Sequence, residues 1–477
     1  MTEQKLERRP VFWFYGSAAV AYGIKNNAFS YLLLIYANQV LGLPGYLASL
    51  ALAIAMLWDA VSDLLLGHWS DKTSTRLGRR HPFMYVALLT LPFFFYALFD
   101  PVIELNEGNV FTYVLVMALL IRTGTTLFEV PSTALLPDLE SDYDRRNKWL
   151  ALRHAFGWYG GNGIHTVNFL FFVGAYGVAV QTGYTMYAMV GAVLIFLSIL
   201  VSSLGTQRAA AALPRPAESF KFREITREIA QIFQSVKNRN FAALFFYGLT
   251  VGVAAGLGMA LYLYNTTYFF GFSGPQIAVT GFGVLISPAI AYWAAPFFGR
   301  KYGKKRAAIG AILFNITLYP VPYILLLSGW WPELGSWLAL YMYSVIIVVE
   351  VVCSMMGGVL LDSMMADVVE ESEVATSRRS EGLFYAARGF AAKAISAGGI
   401  IGAGTIISLV GLDGITNVEE VTFEIRRDLA LFFLPLYCSL NLIGLYIVSR
   451  YRIDREGHGA NLKQLAERHE DAQASAS

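Results

Sequence analysis

Charge is what this sequence has least of. Asp, Glu, Lys and Arg make up 15% of its 477 residues, against about 25% in soluble globular chains. That is too little polar side chain to cover a compact water-soluble fold, which excludes an ordinary cytosolic enzyme, a disordered chain and a nucleic-acid-binding domain. Its signs nearly cancel as well: 36 Lys and Arg against 34 Asp and Glu leave +2, too small to argue for an acidic partner. Cysteine is almost missing. Cys353 and Cys438 both lie inside apolar runs, which speaks against a disulfide framework or a thiolate metal site. The first ten residues, MTEQKLERRP, are polar, and the apolar run behind them is about twice as long as a signal-peptide core, so this first span is expected to be retained.

What is plentiful is apolar, at 56%. A helix needs about 20 apolar residues to cross the hydrocarbon core of a bilayer. Twelve such runs fall near 11–39, 45–67, 82–100, 111–136, 151–176, 181–203, 240–266, 276–297, 305–328, 336–365, 383–411 and 428–450, the fifth and tenth being interrupted by polar residues. The expectation is an all-α membrane protein of twelve transmembrane helices. Lys and Arg accumulate on the cytoplasmic side of such proteins. Here 29 of the 36 sit at the N-terminus, in every second loop and in the tail, so both termini are expected to be cytoplasmic.

The longest internal polar stretch, 204–239, divides the spans six and six. It is read as a linker between an N-terminal half (1–203) and a C-terminal half (240–450), with a cytoplasmic tail at 451–477. Residues 220–233 of the linker fit either a surface amphipathic helix or a solvated connection. GHWSDKTSTRLGRRHP after the second span and GRKYGKKRAAIG after the eighth form a weak internal repeat. Two parallel six-helix halves are a transporter architecture, with the substrate site near the midplane between them.

An ionisable side chain at the bilayer centre costs about 2.5–3.5 kcal/mol on insertion scales, so each one is a functional hypothesis. In the second span WDAVSD spaces Asp59 and Asp63 one helical turn apart, on one face. Their mutual repulsion calls for a cation, a shared proton or a Lys or Arg from another helix; the alternative is that Asp63 caps or pairs near the loop. In the fourth span Glu129 precedes Pro131, which frees a backbone carbonyl, and Thr123, Thr125 and Thr126 add hydroxyls suited to a hard cation or a sugar. Arg122 and Glu129 are seven residues, about 10 Å, apart, so each is expected to find its partner on another helix. Lys393 follows Arg388 among small residues and is a plausible counter-charge for the aspartates. Lys25, Asn26 and Asn27 offer donors to a polyhydroxylated substrate, unless Lys25 snorkels to an interface. Glu350 has no evident role.

These residues carry a resemblance. WDAVSDLLLGHWSDKTSTRLGRRHPF and MMADVVEESEVATSRRSEGLFYAARGFAAK resemble signatures of the glycoside-pentoside-hexuronide:cation symporters, a branch of the major facilitator superfamily that includes the melibiose carrier, and the similarity runs through all twelve spans. The resemblance implies the major facilitator fold, with Na⁺, Li⁺ or H⁺ at Asp59 and Asp63 and Thr126 close to the ion. It implies that Glu129 and Arg153 lie near a sugar and Lys393 near the cation site. Arg122 is grouped with Lys393 in coupling. Departures fall on the substrate side: a sugar-holding aspartate of the first helix falls at or near Gly23, and a stacking tryptophan of the fourth is Thr133. Met56 and Leu64 replace an arginine and a proline around the aspartates. A related animal branch that moves lysophospholipids keeps the aspartates and lacks the helix 4 acid.

The expected function is thus Na⁺- or H⁺-coupled symport of a sugar, glycoside or uronide by alternating access, by a monomer in a bacterial inner membrane with no cofactor beyond the coupling ion. Lysolipid or drug transport by the same fold is the alternative. A membrane-embedded prenyltransferase would use a DxxxD motif, which Asp59 and Asp63 match, but position 55 is Ala and no second cluster is evident.

Overall fold

The computed structural model describes residues 3–453 apart from 74, 141, 212–237 and 377–380, together with 457–459, 463–465 and 467; side chains at 3–9, 68, 71, 143–144, 211, 375–376 and 381–394 lie outside the description. Among the described residues all regular structure is helical. In lipid a backbone must satisfy its own N–H and C=O groups, and a helix does so within one segment.

The long helices are α1 (Glu3–Asn27), α2 (Gly45–Lys72), α3 (His81–Phe99), α4 (Val110–Ala134), α5 (Tyr143–Phe171), α6 (Gln181–Ala211), α7 (Arg239–Tyr264), α8 (Gly274–Tyr302), α9 (Lys304–Leu318, resumed at Val321–Leu327), α10 (Trp337–Thr376), α11 (Glu381–Leu409) and α12 (Phe423–Val448). Nine of them, among the described residues, are long and apolar enough to cross a membrane. Their outward side chains are apolar, with Leu89 71% and Val345 65% exposed, as suits a surface against lipid rather than water. The expectation of twelve spans is met only that far. α1 carries polar ends, α5 begins with the charged turns YDRRNK, and only Ile395–Leu409 of α11 counts as an apolar helix.

Several helices outrun their apolar stretch because a cap, not hydropathy, decides where they start. Asp142 accepts from the Arg145 N–H at 2.9 Å and begins α5 eight residues before the apolar run. Asn238 caps α7 through the Phe241 N–H at 2.9 Å. Such side-chain caps answer N–H groups left open at a helix start. α10 has 40 residues, about 60 Å at 1.5 Å per residue, so its last turns extend well past the bilayer core. The linker expected over 204–239 begins later than the polarity suggested, since α6 continues to Ala211; residues 220–233 lie outside the described part.

The two sets of six helices pack alike. α1 lies against α5 and α6 as α7 lies against α11 and α12; α2 and α3 flank α4 as α8 and α9 flank α10. The sets meet where α2 packs on α11 and α5 on α8. The repeat reaches fine detail. α1 is continued by π-helical turns at Ala28–Leu32 and Tyr36–Val40, α7 by one at Asn265–Phe269. Each then turns through a left-handed glycine, Gly42 or Gly271, both at φ +71°. A Cβ on Gly23 would fall on the Gly157 carbonyl of α5, and one on Gly399 on the Val253 carbonyl of α7. Small residues at such crossings let helices touch backbone to backbone.

At the end where α1 passes to α2, the two sets are tied together. Asn38 and the Gly45 N–H both donate to Asp413 Oδ1 (2.7 and 2.9 Å), Gln39 donates to the Leu412 carbonyl (2.9 Å), and the Tyr264 hydroxyl to Asn38 Oδ1 (2.9 Å). Gly404 of α11 leaves no space for a Cβ beside Gly45 and Ser49 of α2. At the opposite end, each half has a charge clamp. Arg79 and Arg80 hold Asp138 at 2.6 and 3.2 Å, and Lys304 holds Asp367 at 2.7 Å.

Gly404→Val is expected to force α2 and α11 apart at this tie and to cost about 1–3 kcal/mol, the usual range for overpacking. Thermal unfolding of the detergent-purified variant, read as a lowered melting temperature, checks it; an unchanged melting temperature contradicts the packing.

Candidate functional site

An unbroken α2 carries Asp59 and Asp63 on one face. Asp59 is buried at 2% exposure and Asp63 is half-buried. From α4, Arg122 reaches Asp59 Oδ2 at 3.2 Å, and its guanidinium lies 4.5 Å over the Phe29 ring. Phe29 sits in the π turn that follows α1. Two charges taken from water are tolerable only when paired and further hydrogen-bonded, and here α2 and α4 supply one charge each. Ser62, between the aspartates, bonds Thr126 Oγ1 at 3.1 Å; Thr126 itself donates to the Arg122 carbonyl at 3.1 Å. Trp58 donates to Thr123 at 2.8 Å. Two carboxylates, hydroxyl oxygens and one competing guanidinium thus stand together between α2 and α4, a donor set that suits a small hard cation or a proton.

Beside this cluster, α1 presents a buried Lys25 at 1% exposure. Midway burial on a helix is inconsistent with snorkelling to an interface. Asn27 is buried and bonds His165 Nδ1 of α5 at 2.9 Å, whereas Asn26 between them is exposed. The three residues do not form one donor set, because each helical step turns the side chain by about 100°.

Arg153 of α5 is buried and donates to Ser132 and Thr133 of α4 at 2.8 and 2.9 Å. Its guanidinium lies 5.0 and 5.4 Å from the Tyr15 and Tyr22 rings of α1, and among the described residues its Nη1 makes no hydrogen bond. Thr133 therefore holds the arginine. Glu129, half-buried one turn before Thr133, was expected to find a partner on another helix. Among the described residues its side chain forms no hydrogen bond or ion pair, and its carboxylate interacts electrostatically with Tyr22 of α1. The absence of an acid at position 23 has a packing reason, since α5 backbone fills the volume such a side chain needs.

The side chains of Arg388 and Lys393 lie outside the described residues; the backbone at both belongs to α11. Among the described residues, Arg122 contacts Asp59.

Two polar residues here, Ser62 and His165, were not among the sequence candidates. Ser62 sits inside the WDAVSD motif, three residues past Asp59, and its spacing alone was a signal. His165 is one of the polar residues that interrupt the fifth apolar run. Glu350 interrupts the tenth; it accepts from Ser354 at 3.1 Å and Asn315 at 3.4 Å. Around it gather tyrosines from three helices, α9, α10 and α12: Tyr319 stacks on Tyr437 at 4.5 Å, and Tyr319, Tyr323 and Tyr343 all interact electrostatically with its carboxylate. Tyr262 packs edge-on to Tyr31 of the first half at 5.4 Å. Aromatic faces with hydroxyl edges suit a ring-shaped or cationic ligand group.

Comparison with known proteins agrees with this architecture. The nucleoside transporter NupG superposes with a TM-score of 0.63 at 14% identity, over 93% of this chain and all of the other. A bacterial homologue of the human lysosomal transporter Spinster, in an inward-facing and unoccupied conformation, gives 0.64 at 13%, over 97% and 99%. In sequence, an uncharacterized symporter of Synechocystis is 31% identical over 147 residues, 30% of this chain and 27% of the relative. The sodium-dependent lysophosphatidylcholine symporter 1 of Gallus gallus is 29% identical over 144 residues, 29% and 26% respectively. The chain thus matches about a quarter of the length of these curated relatives. These family and fold neighbours are transporters, which overturns the prenyltransferase alternative. The profile described as "MFS/sugar transport protein" matches residues 14–455, nearly the whole chain, and the chain therefore belongs to that family of the major facilitator superfamily, a membrane transporter and not an enzyme.

Proposed function

We propose that this transporter is a cation-coupled symporter of a sugar, glycoside or uronide. The observation that carries the reading is the Asp59–Arg122 pair, set one helical turn from Asp63 on α2 and accompanied by the Ser62–Thr126 hydrogen bond between the same two helices. Without a coupling ion, Arg122 neutralises Asp59. Na⁺ or H⁺ arriving at the aspartates competes with the guanidinium, and releasing Arg122 alters how α2 and α4 meet. Substrate hydroxyls or a uronate then engage Glu129 and Tyr22, the guanidinium of Arg153, and Lys25 and Asn27 on α1. Coupling requires each ligand to favour the other by a reciprocal free energy of about 1–3 kcal/mol.

In this reading the basic end of the bundle is cytoplasmic and the tie around Asp413 closes the outer end. Opening to the outside means breaking the Asn38 and Gln39 bonds while the halves rock about the site. The protein acts as a monomer in a bacterial inner membrane.

A second reading, lysolipid transport, is favoured by the relative described as a lysophosphatidylcholine symporter and by the tyrosines gathered around Glu350, which suit a quaternary ammonium group. Glu129 on α4 supports the sugar reading over it.

Asp59→Asn and Asp63→Asn are each expected to reduce accumulation in proteoliposomes from uphill to the level of simple equilibration, while ligand-induced thermal stabilisation persists. A ligand at 100 times its Kd adds about 2.7 kcal/mol of stability to the native state, so a thermal screen of glycosides, uronides and lysolipids, with Na⁺ and across pH, identifies the substrate class. Uphill uptake intact in both variants contradicts the cation site. Stabilisation by lysolipids alone replaces the sugar reading.

Arg122→Gln removes the internal competitor for Asp59. Its apparent affinity for the coupling cation is expected to rise on the order of tenfold, about 1.4 kcal/mol, although the cation-free protein melts earlier. Cation titration followed by melting temperature measures both effects. A weaker cation affinity in this variant would falsify the competition.

A further inference from the structure

The basic end of the C-terminal half holds a cavity of about 1120 Å³, far from the α2–α4 site, lined by the turn between α8 and α9, the side of α10 and the segment after α12. Eight Lys and Arg side chains line it, against one carboxylate, Asp367. Lys304 already answers that carboxylate at 2.7 and 2.9 Å, and His458 Nδ1 stands 3.3 Å away. Arg239, Arg300 and Arg306 are exposed and, among the described residues, their guanidinium groups form no hydrogen bond or ion pair with the protein. Such a gathering of cations repels itself unless an anion joins it.

A second hollow adjoins the first. It is a groove of about 390 Å³ between α7 and α12, almost wholly apolar, floored by Ala242 and Ala243 and walled by Phe246, Leu249 and Ile447. Arg239 and Arg450 line both the groove and the basic cavity. Phe246 and Tyr446 on its rim are 45% and 61% exposed, on helices long and apolar enough to cross a membrane.

We propose that these two hollows form one binding site for an anionic phospholipid, with its headgroup phosphate among Arg239, Arg300 and Arg306 and an acyl chain in the α7–α12 groove. Charge complementarity and continuity argue for this occupant. A soluble phosphate satisfies the cations but leaves the groove bare. A zwitterionic lipid fills the groove yet brings no net charge to the cavity. Basic pockets at the membrane boundary of a helical bundle hold anionic headgroups by this combination of charge and apolar contact. Such a lipid bridges α7, α8, α10 and α12 without entering the transport path, so its presence stiffens the C-terminal half as a unit.

The test uses the full-length protein in mild detergent, with phosphatidylglycerol and phosphatidylcholine of matched chains supplied together and bound lipid counted by native mass spectrometry. The expected result is retention of phosphatidylglycerol on the order of tenfold above phosphatidylcholine. The double variant Arg300→Gln, Arg306→Gln is expected to bring that ratio close to one. Ala242→Trp, which fills the groove, is expected to lower retention of both lipids. Melting in phosphatidylcholine micelles verifies that the variants are folded. Equal retention of the two lipids by the unaltered protein, or a ratio unchanged in the double variant, overturns the proposal. Displacement of the lipid by an equal concentration of glycerol 3-phosphate or inorganic phosphate also overturns it, by assigning the cavity to a soluble anion.

Discussion

Backbone-to-backbone packing of α1 on α5, repeated by α7 on α11, is the constraint on which the rest of this molecule depends. Between lipid-embedded helices there is no hydrophobic drive toward one another, so association relies on close van der Waals contact and polar pairing. Gly23 and Gly157 remove the side chains that would hold α1 and α5 apart. With the helices that close, Tyr15 and Tyr22 of α1 lie over Arg153 of α5, and Asn27 meets His165. The same contact explains the absence of an acid at position 23. In the proposed reading, polar recognition on α1 falls to Lys25 and Asn27 instead.

The second determinant is the pairing of buried charge. A lone Asp59 within a span is costly, and Arg122 from α4 makes it tolerable. That solution is also unstable in a useful sense. In the proposed symport reading, an arginine that meets its carboxylate at 3.2 Å is what a competing cation displaces, so the pair that stabilises the helix packing is also where an ion would be sensed. Structural demand and the proposed function meet on the same two side chains, one on α2 and one on α4, helices that are otherwise largely apolar.

Internal duplication organises what remains. Gly42 and Gly271, the π turns before them and the charge clamps Arg79–Asp138 and Lys304–Asp367 recur at matching places in the two sets of helices. Only the weak likeness of the two basic loops was visible in the sequence, because glycine positions and helix-end geometry persist while side-chain identity drifts. Within that common frame the halves differ chemically. The first holds the aspartates and Arg122; the second holds Glu350 among tyrosines.

The sequence by itself determined that this is a helical membrane protein, roughly where its apolar segments lie, and which few charges interrupt them, because the thickness and low polarity of a bilayer translate directly into length and composition. It also determined that Asp59 and Asp63 share a face, since helical periodicity needs no partner. Only the tertiary structure decided that Arg122 contacts Asp59, that Glu129 has no ion-pair partner among the described residues, that Asn26 turns away from Lys25 and Asn27, and that Thr133 holds Arg153. Each of these depends on the angle and depth at which two helices meet, and those are set by side chains far apart in the chain. Helix ends such as those of α5 and α6 belong to the same class: capping groups and packing beyond the apolar core extend a helix that hydropathy alone would end sooner.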